Sequence, residues 1–179
     1  MTRKENYYSK IREGHMQVLT IIILGSFFLI PLKAIAASEK VNFSGEWTFN
    51  KAKSNLGEGR FRTSLKLAIL QKGNELTIER LSMNRDGQEM KSTEKYTLDG
   101  KECENTTRNR TRKSIVTWSE DGNSITISSK MVFDRNGQTM EIKIIEIWKL
   151  EDGGKSLSIE SSHSTPMGER KATLIYDKQ

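Results

Sequence analysis

Between Phe43 and Tyr176 apolar side chains recur at every second position over short stretches, and turn residues separate the stretches. Leu65, Leu67 and Ile69 share one face, followed by Leu76 and Ile78, Tyr96 and Leu98, Val116 and Trp118, then Ile125, Ile127, Met131 and Phe133. The longest set is Met140, Ile142, Ile144, Trp148 and Leu150, after which come Leu157 and Ile159, then Leu174 and Tyr176. The positions between them are largely Lys, Glu, Thr and Ser, the pattern of strands with one buried and one wet face. The breaks fall at Gly73-Asn74, Asp86-Gly87, Asp99-Gly100, Asp121-Gly122, Asn136-Gly137, Asp152-Gly153-Gly154 and Met167-Gly168. Asx-Gly pairs supply the positive φ angles of tight hairpins. The spacing therefore predicts ten antiparallel strands over 43–50, 63–71, 75–84, 88–98, 101–107, 112–119, 123–134, 138–150, 155–164 and 169–177. Long strands in a meander avoid exposed edges by closing on themselves. The expected fold is all-β, an antiparallel up-and-down β-barrel of about 8–10 strands, with a two-sheet sandwich as the alternative.

The same alternation puts polar groups on the inner face. If Ile144 and Trp148 point inward, so does Glu146, and equal parity brings in Arg80, Ser92, Glu94, Ser129, Ser161 and His163. Buried charge without a partner is costly, so such groups need an ion pair, water or a ligand. Arg80 is the inward cation available to Glu146, although Leu81 and Met83 suggest that its strand changes face. Apolar walls with a few convergent polar groups are the usual form of a small-molecule site. Glu94, Tyr96, Glu146, Trp148 and His163 are the candidate ligand-binding residues. The competing reading places them near strand ends or beyond a bulge, where a one-residue slip leaves them in solvent.

The N-terminal region breaks this pattern. Arg3, Lys4, Lys10 and Arg12 precede an apolar run from Met16 to Leu32, which exits through Ala34-Ile35-Ala36. Basic head, apolar core and small-x-small exit are the parts of a secretory signal peptide. The expected organisation is a signal peptide over 1–36, cleaved after Ala36 or Ala37, and one domain over 37–179, exported to the periplasm or the extracellular space. An uncleaved anchor competes, since the run is at the lower limit for spanning a bilayer. Gly25 and Pro31 interrupt it, and no Cys follows it for lipid attachment. Of the 179 residues and net charge of +6, the leader takes Arg3, Lys4, Lys10, Arg12 and Lys33 against Glu5 and Glu13. About +3 remains on the domain, and nucleic-acid binding loses its main support.

Phe43-x-Gly45-x-Trp47 opens the first strand. It resembles the Gly-x-Trp signature of the calycins, which include the lipocalins and fatty-acid-binding proteins. The resemblance implies a Trp47 that plugs the closed end of the barrel, with a basic side chain from the end of the sheet across its ring. Arg170 or Lys171 would supply that side chain, the planar Arg170 being the better stacker. On the residues alone, Trp47 is a large core side chain. The Thr-Asp-Tyr motif of typical lipocalins is missing, and the stretch from Lys51 to Arg62 is too short for the helical lid of fatty-acid-binding proteins. The domain looks most like lipocalin-like domains secreted by bacteria, in architecture throughout and in residues at the first strand.

Catalysis and metal binding find little in the chain. Two histidines and one cysteine are too few for a four-ligand zinc site of His and Cys, and no cofactor motif is present. Glu94 and Glu146 as paired carboxylates have no further glycosidase feature beside them, and His163 has no Gly-x-Ser-x-Gly elbow to serve. Cys103 lies between Glu102 and Glu104, neighbours that raise a thiol's pKa. It is either a small buried residue or a link between two chains. Arg108, Arg110, Arg112 and Lys113 gather at an expected hairpin tip, a possible weak contact for an anionic surface, without aromatic residues interleaved for stacking. The reading is a secreted lipocalin-like protein, not an enzyme, that binds a small amphipathic or hydrophobic molecule non-covalently. The alternative is a filled barrel acting as an interaction or inhibitor module.

Overall fold

The computed structural model describes residues 39–57, 61, 63–107, 110–135 and 137–179. The signal peptide expected over 1–36 and Arg108 of the basic cluster lie outside them. Ten strands form: β1 Gly45–Phe49, β2 Lys66–Lys72, β3 Glu75–Met83, β4 Glu89–Thr97, β5 Glu102–Thr107, β6 Arg110–Trp118, β7 Ser124–Arg135, β8 Gln138–Glu151, β9 Ser156–Thr165 and β10 Gly168–Lys178. They make one antiparallel sheet in the order β4-β3-β2-β1-β10-β9-β8-β7-β6-β5. Every neighbour is consecutive in sequence except β1 and β10, which join the two ends of the domain with Trp47 opposite Lys178. The sheet curls into a nearly closed up-and-down barrel, and among the described residues there is no α-helix.

The two edges, β4 and β5, meet at a seam that has no strand ladder. Asn105 of β5 spans it with its side chain: Oδ1 accepts from the Lys95 N–H at 2.7 Å and Nδ2 donates to the Lys95 carbonyl at 2.9 Å. The carboxamide thus stands in for a peptide group of a neighbouring strand.

The lower end, beside the turns after β2, β4, β6 and β8, is sealed by the segment that leads into β1. The Val41 N–H donates to the Gly122 carbonyl, and the Gln71 side chain holds both Phe43 N–H and Val41 C=O. Phe43 is carried across the barrel mouth onto Trp118 and Trp148, at ring separations of 6.1 and 6.3 Å. For that reason β1 starts at Gly45 rather than Phe43. Gly45 sits at φ +146°, a backbone conformation that side-chain-bearing residues rarely adopt, so conformation calls for glycine there. Phe43, Trp47, Leu76, Ile78, Val116, Ile125, Ile127, Trp148, Leu157 and Ile159 fill the lower half and are buried. Each such side chain contributes about 1.5–3 kcal/mol of transfer free energy.

Candidate functional site

Inward side chains change character with height. From the lower end upward β3 presents Leu76, Ile78, Arg80 and Ser82, β4 presents Tyr96, Glu94, Ser92 and Met90, and β8 presents Trp148, Glu146, Ile144 and Ile142. Arg80, Glu94, Arg112 and Glu146 therefore meet in a polar belt above the apolar half.

The belt is a continuous network. Arg80 donates from Nε to Glu94 Oε2 at 3.0 Å and from Nη2 to Glu146 Oε2 at 3.2 Å. Arg112 Nη2 donates to Glu94 Oε1 and, at 2.9 Å, to the Tyr96 hydroxyl, which itself donates to Glu94 Oε2. Glu146 Oε2 also accepts from the Trp148 indole N–H at 3.1 Å, and the Arg80 guanidinium lies over the Trp148 ring. Burial opposes the charge on Arg80, but Glu146 and then Glu94 outweigh it and raise its pKa. Burial likewise opposes ionisation of Glu94, yet Arg80 and Arg112 prevail and hold its pKa below the usual value. Burial, followed by Glu94, pushes Tyr96 up, so its proton stays on. Two cations face two anions, and the belt is neutral as a whole.

Glu94, Tyr96, Glu146 and Trp148, expected from parity, come together here. Arg80 keeps the inward face despite Leu81 and Met83, since β3 pairs with β4 without a bulge through Met83. His163 stands higher, half-buried, with its ring 4.7 Å from that of Phe61. Burial lowers its pKa, with Glu146 opposing.

Three expectations need correction. The cation over Trp47 is Lys178, at 5.3 Å from the ring, because β1 and β10 pair at their lower ends. Arg170 lies opposite His163 at the upper end and is exposed, as is Lys171. Among the described residues the basic cluster does not form one patch, because strand alternation divides it. Arg112 turns into the belt, Arg110 covers the Phe133 ring at 4.6 Å, and Lys113 points outward to Glu102 and Glu104. Cys103 is half-buried with Sγ 3.3 Å from the Ser114 carbonyl, and burial rather than its acidic neighbours is the main cause that raises its pKa.

Above the belt the barrel is not filled. A cavity of about 730 Å³ is lined by Ser82, Met90, Ser92, Glu94, Arg112 and Met131 among others. Lys91 and Thr93, on the outer face of β4, also line it. The cavity therefore passes over the edge of β4 and opens sideways through the seam above Asn105. Met131, Phe133, Met140 and Ile142 stand half-buried at this level.

Two residues of the site escaped sequence reasoning. Arg112 shares parity with Ser114, Val116 and Trp118, a signal that its basic neighbours masked. Asn105 carried no pattern signal. The Trp47 indole donates to the Phe43 carbonyl at 3.1 Å, which ties the Phe-x-Gly-x-Trp residues to the sealed end.

No protein-family model and no curated protein matches the chain. Among solved structures it is similar to a crystal structure of the zebrafish ileal bile acid-binding protein complexed with cholic acid. Identity is 20% over 76% of this chain and 98% of that chain, with a TM-score of 0.52. That likeness, together with ten antiparallel strands in up-and-down order, shows the fold alone, an antiparallel up-and-down β-barrel.

Proposed function

We propose that this protein is an exported carrier that holds a small amphipathic molecule non-covalently in the upper half of its barrel. One observation carries the reading: a largely buried polar belt lies beneath an unfilled cavity that opens sideways and is lined mainly by polar side chains, with Met90 and Met131 as its apolar members. A purely structural barrel would have packed that volume, since cavities in a core cost stability. The bile acid bound by the zebrafish protein is an occupant of the same general kind. Export, to the periplasm or beyond the cell, is supported by the basic head, apolar run and Ala-Ile-Ala exit. A carrier suits the belt better than an enzyme does, because both oxygens of Glu94 are taken up by Arg80, Arg112 and Tyr96, which leaves the carboxylate no free lone pair aimed at a substrate.

Native mass spectrometry of the protein purified from its own host tests the reading and should show a retained small molecule. The neutral probe N-phenyl-1-naphthylamine should also change the tryptophan emission on titration. A barrel that emerges empty and leaves tryptophan emission unmoved overturns it.

A second reading, an interaction module, is favoured by the outer face. Ile115, Ile145 and Ile147 are 39%, 44% and 40% exposed there, and Ile115 and Ile145 both lie across from Ser128. Sedimentation that gives a monomer at all concentrations, alone and in host extract, removes this reading.

A further inference from the structure

We infer that the occupant's buried head group is uncharged and hydrogen-bonding, a hydroxyl or an amide, and not a carboxylate; this rests on the carrier reading above. An arginine pair inside an apolar barrel is what an anionic ligand would seek. Here the protein supplies the anions itself. Glu94 takes Arg80 and Arg112 with its two oxygens, and Glu146 takes a second nitrogen of Arg80. The arrangement is closed in charge, and Glu94 is only 6% exposed. A ligand carboxylate placed against it would bring a net negative charge into a poorly solvated region beside two carboxylates. It would meet their repulsion and lose its own hydration.

Hydrogen-bonding capacity, by contrast, is left over. Both hydrogen bonds to Glu146 end on Oε2, so Oε1 receives no donor among the described residues. Arg112 uses Nη2 alone in its described bonds. Two hydroxyls lie beside these groups, Ser161 across from Glu146 and Ser92 across from Arg80, while that of Ser129 is already paired with Ser114. Unused acceptors and donors side by side, with no net charge, suit a group that both gives and takes a hydrogen bond. Of the other cations at the upper end, Lys91 and Arg110 touch the cavity only at its rim and are exposed, as is Arg170. Their pull on an anion is screened by water and salt and does not reach the belt in strength.

The test uses the isosteric pair decanamide and decanoate at pH 7.5, where decanoate is ionised, each titrated against N-phenyl-1-naphthylamine bound to the protein as its host makes it. Decanamide should displace the probe at least tenfold more effectively than decanoate. Glu146→Gln removes one anion from the belt and should narrow that ratio at least fivefold, mainly by tighter decanoate binding. If this variant does not fold, Glu94→Gln takes its place, and the wild-type ratio alone still decides. Decanoate binding as tightly as decanamide to the wild type, or a ratio unmoved in a folded variant, overturns the inference and leaves the carrier reading standing. Probe binding that is absent altogether overturns the carrier reading, and the inference falls with it.

Discussion

The lower and upper halves of the barrel are built by the same strands with the same alternation, yet their interiors obey different rules. Below the belt nearly every inward side chain is apolar and buried, and Phe43 and its strap close the end. Above it the inward positions hold serines and methionines, half-buried around open volume, with the exposed Arg110 at the rim. The contrast teaches that strand pattern determines which side chains point inward, while the identity of those side chains determines whether the inside becomes a core or a container. One continuous strand such as β8 takes part in both, changing from Leu150 and Trp148 to Glu146 and Ile142 within eight residues or so.

Substitutions that respect this division should have graded effects. Trp47→Ala, in the filled half, should cost about 3–5 kcal/mol, the usual range for truncating a buried aromatic, as read by equilibrium denaturation. A value within error of wild type would deny the lower half its status as the core. Glu94→Ala comes next, at about 3 kcal/mol, because it leaves Arg80 with one partner and Arg112 with Tyr96 alone; removing one member of a buried pair is what costs.

The pH dependence has the matching sign. The Glu94 carboxyl ionises more readily folded than unfolded, so its contribution is complete above the unfolded value of about 4.3 and is lost as pH falls through the lower folded value. Wild-type denaturation midpoints should therefore drop below about pH 4.3, and drop less in Glu94→Gln. Equal acid sensitivity of the two would mean that the belt is not what acid breaks.

Asn105→Ala should cost about 1–3 kcal/mol, from two lost hydrogen bonds and an unpaired Lys95 peptide. Its local signature is faster amide exchange at Lys95, and unchanged exchange there would show that the seam has another closure. Met131→Ala should have the smallest effect on stability, below about 1 kcal/mol, since the side chain is half-buried beside a cavity, while weakening uptake of the naphthylamine probe. A stability loss as large as that of Trp47→Ala would mean that the upper half is a second core.

The strands were legible because each is bounded by a turn whose chemistry is local, and because alternation survives from one end of a strand to the other. Glu146 was legible for the same reason: Ile144 and Trp148 fix its face. Arg112 was not, since a run of basic residues reads as a solvated tip unless parity with Ser114 and Val116 is given more weight than charge density. Lys178 owes its place over Trp47 to a register between the two ends of the domain, which no local pattern encodes. Asn105 is further still from view, because its side chain does a backbone's work and its surroundings in sequence carry no mark of that.

The seam also bears on how the protein behaves in a crowd. A sheet edge with free N–H and C=O groups is a template on which another chain can add a strand. This barrel has two such edges and turns them toward each other, so each shields the other from neighbouring molecules, with the Asn105 carboxamide as the clasp. Release of that clasp, and of the Arg112 bonds to Glu94 and Tyr96 beside it, would present β4 and β5 together as complementary ends, which join head to tail into a closed ring or an open polymer according to the rotation between copies. A single neutral side chain thus contributes to the solubility of the protein as well as to the closure of its cavity.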